Sequence, residues 1–290
     1  MAQEVKEVQE ASTRATWSGK WAFILAAAAS AVGLGNLWRF PYLAAKYGGG
    51  MFLFTYLVLV LTFGVSLLLL ETALGRKTRQ SVIGAFRHFG AKFTFIGVLA
   101  AAVPFIITPY YCIIGGWVTK YMVSYVTAGP AALADGGDFF GGFISSNTES
   151  FLFMLVFMAI VFIIVALGVQ KGIEKANLIM MPALIVMAIA IAVFVLTMPG
   201  ALEGAAYYLV PDFSKFSPEL VINALGQMFY SLSLAMGIMV TYGSYMRKQD
   251  SLTSSVTRIA GFDFGVSFFA GLMILSLIHI SEPTRPRLIS

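Results

Sequence analysis

Ser30-Ala31-Val32-Gly33-Leu34-Gly35-Asn36 interrupts the first long apolar run of the chain, roughly residues 18–43. Two glycines bracket one leucine near the middle of a stretch long enough to cross a bilayer, which takes about 20 apolar residues. Glycine weakens a helix and admits backbone that other residues avoid. In hydrocarbon, non-helical backbone is tolerated only where it is buried in protein or lines a cavity. The stretch therefore reads in two ways: a break in a spanning helix beside a cavity, or a close helix contact through small residues. Alone it does not decide between them.

A second stretch of the same kind, Ser231-Leu232-Ser233-Leu234-Ala235-Met236-Gly237, lies in the sixth apolar run behind Gln227 and Tyr230. Interrupted helices at corresponding places in two halves of a chain point to a transporter binding site. A broken helix offers amide N–H groups at one end, which attract a carboxylate, and carbonyls at the other, which attract a cation. The pair suggests a ligand bearing a carboxylate with a small metal ion beside it.

Working outward, seven apolar segments stand out, roughly 18–43, 49–74, 95–126, 151–168, 174–198, 220–246 and 256–280. Of the 290 residues, 59% are hydrophobic and 11% charged. A soluble domain carries about a quarter charged residues, so little of this chain faces water. Each span must satisfy its own backbone, so helices are expected, and the alternation of a barrel is absent. The single cysteine, Cys112, excludes an internal disulfide framework. The net charge of +5 is spread over short loops and reads as topology, not as a nucleic-acid surface.

Basic residues set the orientation. Lys6, Arg14 and Lys20 precede or open the first span, and Arg76, Lys77, Arg79, Arg87 and Lys92 lie between spans two and three. Lys171 and Lys175 follow span four, and Arg247, Lys248 and Arg258 follow span six, whereas residues 127–150 hold nothing basic. The positive-inside rule then puts the amino terminus in the cytoplasm and residues 127–150 and 199–219 outside. Residues 1–17 are expected to be a cytoplasmic segment without a cleavable signal, 18–280 the membrane domain, and 281–290 a polar tail. The ending SEPTRPRLIS reads as foreign to the gene, following a truncation.

At AVGLGNLWRFPY (Ala31–Tyr42) and YGGG (Tyr47–Gly50) the chain resembles the neurotransmitter:sodium symporter family, whose fold is the LeuT type. The resemblance continues through YYCIIGGW (Tyr110–Trp117), KGIEKANLIMMP (Lys171–Pro182) and GQMFYSLSLAMGIMVTYGSYMRK (Gly226–Lys248). It implies an all-α inverted-repeat bundle of about twelve spans, of which the first repeat and spans six and seven are present, with helices one and six broken. It implies sodium-coupled symport of an amino acid across the plasma membrane by alternating access, and no enzyme activity. A chain of these 290 residues alone is expected to be inactive.

The resemblance carries roles residue by residue. The substrate carboxylate would meet Ala31, Gly33, Leu34 and Gly35 at the first break and the Tyr111 hydroxyl. The substrate side chain would sit among Ile107, Tyr230, Ser233 and Met236. One sodium site matches the Ala31 carbonyl, Asn36, Ser231 and Asp263, oxygen donors that suit a hard cation. The second, partial here, matches the carbonyls of Ala29 and Val32. Arg39 matches the outer gate, and Arg14, Trp17 and Tyr245 the inner gate. Monoamine carriers of the family have an aspartate at the position of Gly33, so a neutral amino acid is expected, with an apolar or aromatic side chain from Ser233 and Met236.

Asp263 stands where chloride-dependent relatives have an asparagine, near Tyr56, Gln227, Ser231 and Ser267, which match their chloride ligands. A carboxylate there replaces the anion, so chloride is not expected to be needed. The blander reading is a carboxylate favoured by a helix amino terminus. Glu71 reads as structural, and the isolated His88 and His279 support no histidine metal site. A seven-span receptor is disfavoured by the cytoplasmic amino terminus, a retinal protein by the lack of lysine in 256–280, and an intramembrane enzyme by the lack of a catalytic pair. The oligomeric state is not encoded in any motif.

Overall fold

The computed structural model describes residues 16–133 and 136–281. Helix α1 (Lys20–Ala31) stops at the first predicted break, and a π-helical turn, Gly35–Arg39, leads into α2 (Phe40–Lys46). The two halves are bent by 50°. Span two is α3 (Gly50–Leu59) and α4 (Val65–Thr78), joined by a π turn at Val60–Gly64. The short α5 (Val82–Arg87) leads to α6 (Thr94–Ala128), the 35-residue third span. Pro104 and Pro109 lie inside α6, where the Thr108 hydroxyl donates to the Pro104 carbonyl at 2.7 Å.

After α6 come α7 (Gly136–Ser145), α8 (Asn147–Ala166), α9 (Lys175–Leu196) and α10 (Ala201–Leu209). The caps are those the sequence supplies: Ser146 accepts from the Glu149 amide and opens α8, and Ser217 accepts from the Leu220 amide ahead of Pro218. Span six is α11 (Pro218–Ser231) and α12 (Ile238–Ser244), and span seven is α13 (Leu252–Ser281).

Among the described residues, five helices are long and apolar enough to cross a membrane, and the bent α1–α2 pair makes a sixth. The remaining expected segment, span six, is two short helices, 14 and 7 residues long, separated by residues 232–237. Neither half spans alone, but at about 1.5 Å per residue the two stacked halves reach roughly 30 Å, one hydrocarbon thickness.

The core runs along α1, α3, α11 and α13, with Phe23, Phe52, Tyr56, Met228 and Ile259 fully buried. Span two packs on α12 of span six through backbone. A Cβ at Gly75 would lie 1.8 Å from the Val240 carbonyl oxygen, and one at Gly243 would lie 2.4 Å from that of Thr72. Only glycine fits either place, as expected where membrane helices pack through small residues. Most of α8 faces outward with apolar side chains, the side a bilayer would cover.

Candidate substrate cavity and ion cluster

The first break is built by Asn36. The Gly33 N–H, which in an unbroken helix would bond the Ala29 carbonyl, donates to Asn36 Oδ1 at 3.1 Å. Val32 is extended, and the amides of Asn36 and Leu37 both turn back to the Gly33 carbonyl. The Ser30 carbonyl, also released from its helix, accepts from the Ser233 hydroxyl at 3.1 Å, tying the first break to the second.

The second break holds three residues in left-handed backbone, Ser233, Ala235 and Gly237. For serine and alanine that conformation costs energy, so something must hold it. Glu71 of α4 is part of the answer: its Oε1 accepts the Ala235 N–H at 2.7 Å. The sequence reading gave Glu71 a merely structural place beside basic residues and missed this partner, which lies 164 residues away.

Behind the breaks lies a buried polar cluster centred on Asp263, which is fully enclosed in α13. Asn36 Nδ2 donates to Asp263 Oδ1 (2.8 Å), to the Asp263 carbonyl (3.1 Å) and to Ser267 Oγ (2.7 Å). Ser231 Oγ donates to Oδ1 at 2.6 Å, and Tyr56 OH to Oδ2 at 2.9 Å. Gln227 Nε2 donates to the Gly35 carbonyl at 2.8 Å, while its buried Oε1 has no partner among the described residues. Four spans thus meet at one carboxylate that no basic side chain pairs with among the described residues. A buried unpaired charge is costly, and an oxygen-rich surround of carboxylate, amide and hydroxyl groups suits a small hard cation. No cluster of three or more His, Cys, Asp or Glu side chains occurs among the described residues.

In front of the cluster is a cavity of ≈ 360 Å³. Ala29, Ala31, Val32, Gly33 and Gly35 line it from the first break, Ile107 and Tyr111 from α6, and Tyr230, Ser231, Ser233 and Met236 from span six. Leu34 does not line it. With Trp38, Arg39, Tyr42 and Tyr110 it lines a smaller neighbouring pocket of ≈ 170 Å³, and Tyr230 borders both. Tyr230 OH donates to Tyr111 OH at 2.9 Å, and the Arg39 guanidinium lies 5.4 Å over the Tyr230 ring. Asn36 and Asp263 sit behind the wall, not in it. Pro104, Thr108, Cys112 and Ile238 also line the cavity, as do Phe157 and Val161 of α8. The last two carry no sequence signal, being ordinary apolar residues of an apolar helix.

At the other end, Trp17 is buried, its backbone amide donating to the Tyr245 carbonyl and its indole N–H to the Tyr242 carbonyl, both at 3.1 Å. Its ring meets those of Tyr242 and Tyr245 edge-on. Ser18 donates through amide and hydroxyl to buried Glu174, and Arg247 donates to the Ser18 carbonyl while paired with Asp250. The predicted inner-gate residue Arg14 lies outside the described residues.

The profile of the Sodium:neurotransmitter symporter family matches residues 14–131 and 144–284. The chain belongs to this family. It is 38% identical to an uncharacterized sodium-dependent transporter of Methanocaldococcus jannaschii, covering 91% of this chain and 56% of that one. It is 35% identical to another from Bacillus subtilis, covering 90% of this chain and 59% of that one. The crystal structure of MhsT in complex with L-phenylalanine superposes with a TM-score of 0.85 at 39% identity, over 91% of this chain and 61% of MhsT. The chain therefore spans less than two thirds of the length of these relatives. The symporter family is one of sodium-dependent transporters, not of enzymes, and this member's apolar helices are those of a multi-pass membrane protein. The likeness to MhsT supports the LeuT-type architecture expected from the sequence: a first repeat of five spans, then spans six and seven, with the first and sixth broken.

Proposed function

We propose that the full-length protein carries a neutral amino acid with an apolar or aromatic side chain into the cell together with sodium, by alternating access across the plasma membrane. The observation that carries this reading is the convergence of two broken helices on one cavity, with the Asp263 cluster directly behind. The substrate carboxylate meets the backbone of the first break around Gly35, since the Gly33 amide is already taken by Asn36, and the hydroxyl of Tyr111. The Tyr111 and Tyr230 hydroxyls lie 2.9 Å apart and either can donate to the other, so Tyr111 can turn its proton to a carboxylate while accepting from Tyr230. Ile107, Ser233 and Met236 surround the substrate side chain.

One sodium ion is held by the Ala31 carbonyl, Asn36, Ser231 and Asp263, and a second partly by the carbonyls of Ala29 and Val32. Substrate and first sodium share the Ala31–Asn36 turn, so each raises the other's affinity, typically by about 1–3 kcal/mol. Asp263 supplies the negative charge beside sodium, so chloride is not needed. Arg39 over Tyr230 closes the outer side, and Trp17, Tyr245 and Arg14 close the inner side, with the amino terminus in the cytoplasm. MhsT was crystallised with L-phenylalanine, which supports an apolar or aromatic amino acid here. Proteoliposomes holding the full-length protein should accumulate labelled L-phenylalanine when a sodium gradient is imposed. Uptake that is indifferent to sodium, or strong competition by serotonin or dopamine, would overturn the reading.

A further inference from the structure

The loop between spans two and three carries a surface that the transport reading does not use. From Arg76 to Phe93 there are five lysines and arginines and no acidic residue, and none occurs between Glu71 and Asp135. Two of the five are engaged by backbone: Arg76 donates to the Lys248 carbonyl and Arg79 to that of Ser244. The other three, Lys77, Arg87 and Lys92, are exposed, and among the described residues no carboxylate lies within ion-pair distance of them.

Their surroundings are aromatic. Lys77, at the end of α4, holds its ammonium 5.6 Å from the ring centroid of Phe89, and Lys92 lies 5.4 Å from that of Phe93. The turn at Gly90, with φ +135°, folds Phe93 back over it, so a Cβ there would be 3.6 Å from the Phe93 ring. Phe89 is 50% exposed and Phe93 38%. Two exposed rings set among three unpaired cations at the end of a membrane span are suited to the boundary between headgroups and acyl chains. There phenyl rings enter the apolar side and basic groups meet anionic headgroups.

We propose that Lys77, Arg87 and Lys92, with Phe89 and Phe93, form a docking site for the headgroup of an anionic phospholipid. The site has a route to the transport machinery. The opposite face of α5 carries Val82 and Ala85, which pack on Val240 of α12, and Val82 fills the space beside Gly237 so closely that a Cβ there would be 2.8 Å away. Arg87, the last residue of α5, thus links the docking site through Val82 to Gly237, where the chain enters α12. The inference rests on the chain lying in a membrane, not on which substrate it carries.

The test uses the intact protein in nanodiscs, released from detergent-washed lipid and examined by native mass spectrometry with phosphatidylglycerol, phosphatidylcholine or inorganic phosphate. Phosphatidylglycerol should be retained in preference to phosphatidylcholine, and phosphate should not compete. Lys77→Gln, Arg87→Gln and Lys92→Gln should each weaken retention about fivefold, and together on the order of 100-fold. The triple change Lys77→Arg, Arg87→Lys, Lys92→Arg keeps the charge and should keep the preference. Equal retention of both lipids by the wild type, or competition by phosphate, overturns the proposal. These readouts need no transport, so failure of the symport reading would leave them standing.

Discussion

Ser231 and Asp263 are joined by a 2.6 Å hydrogen bond that ties the last helical residue before the break of span six to the middle of span seven. The same carboxylate oxygen accepts from Asn36 beside the other break. Asp263→Asn should therefore weaken sodium-dependent substrate binding about 30-fold or more, since truncating one partner of a buried charge contact costs about 2–5 kcal/mol. Added chloride should restore part of it. Uptake by the wild-type protein should not change when gluconate replaces chloride, and a loss of uptake would end the idea that Asp263 stands in for the anion.

Tyr111→Phe removes a hydroxyl from the cavity wall without changing its shape. A hydrogen bond to a charged group contributes about 1.5–3 kcal/mol, so substrate affinity should fall about 10- to 150-fold, measured by equilibrium binding. Tyr230→Phe should cost less, because its hydroxyl contacts Tyr111 and not the ligand carboxylate. The reverse order of the two effects would remove Tyr111 from its assigned role.

Glu71→Leu should lower the melting temperature of the purified protein. It removes a hydrogen bond from the exposed Ala235 amide, at a cost of about 0.5–1.5 kcal/mol. Glu71→Gln keeps an acceptor and should retain most of the stability. If the glutamine variant were as unstable as the leucine variant, the carboxylate's charge rather than the hydrogen bond would be the important property.

Trp17→Ala should open the inner side. With Cys112 replaced by serine, a cysteine at Thr241 of α12 should then react several-fold faster with a reagent applied to the cytoplasmic face. An unchanged rate would show that Trp17 does not seal that path.

A cysteine at Phe140 in α7 should react with an impermeant maleimide in intact cells, and one at Arg87 only after permeabilisation. Labelling of position 140 from the cytoplasm alone would reverse the orientation.

Much of this was legible because rare residue types stood in apolar surroundings. Gly33, Gly35 and Asn36 inside an apolar run left a break and a small-residue helix contact both open; the structure has the break, and Asn36 itself makes it by capturing the Gly33 amide. Asp263 was conspicuous as the one charge between Ile259 and Ile280. Glu71 was visible, but its partner was not, because nothing local relates it to an amide in span six. Phe157 and Val161 reach the cavity through the packing of α8, which no pattern in an all-apolar helix reveals. Leu34 lies inside the motif yet borders the smaller neighbouring pocket, because the turn after Gly33 directs successive side chains to different sides.

The glycines at 75 and 243 have a mechanical consequence. At these two positions α4 and α12 meet backbone to backbone, with no side chain between them to slide or deform. The two helices are in effect one lever. Any motion that moved α12 relative to the rest of the bundle would have to carry α4 with it as a single piece. The fulcrum then falls at residues 232–237, where the chain is already unwound and the Glu71 carboxylate rides with the arm while gripping the pivot.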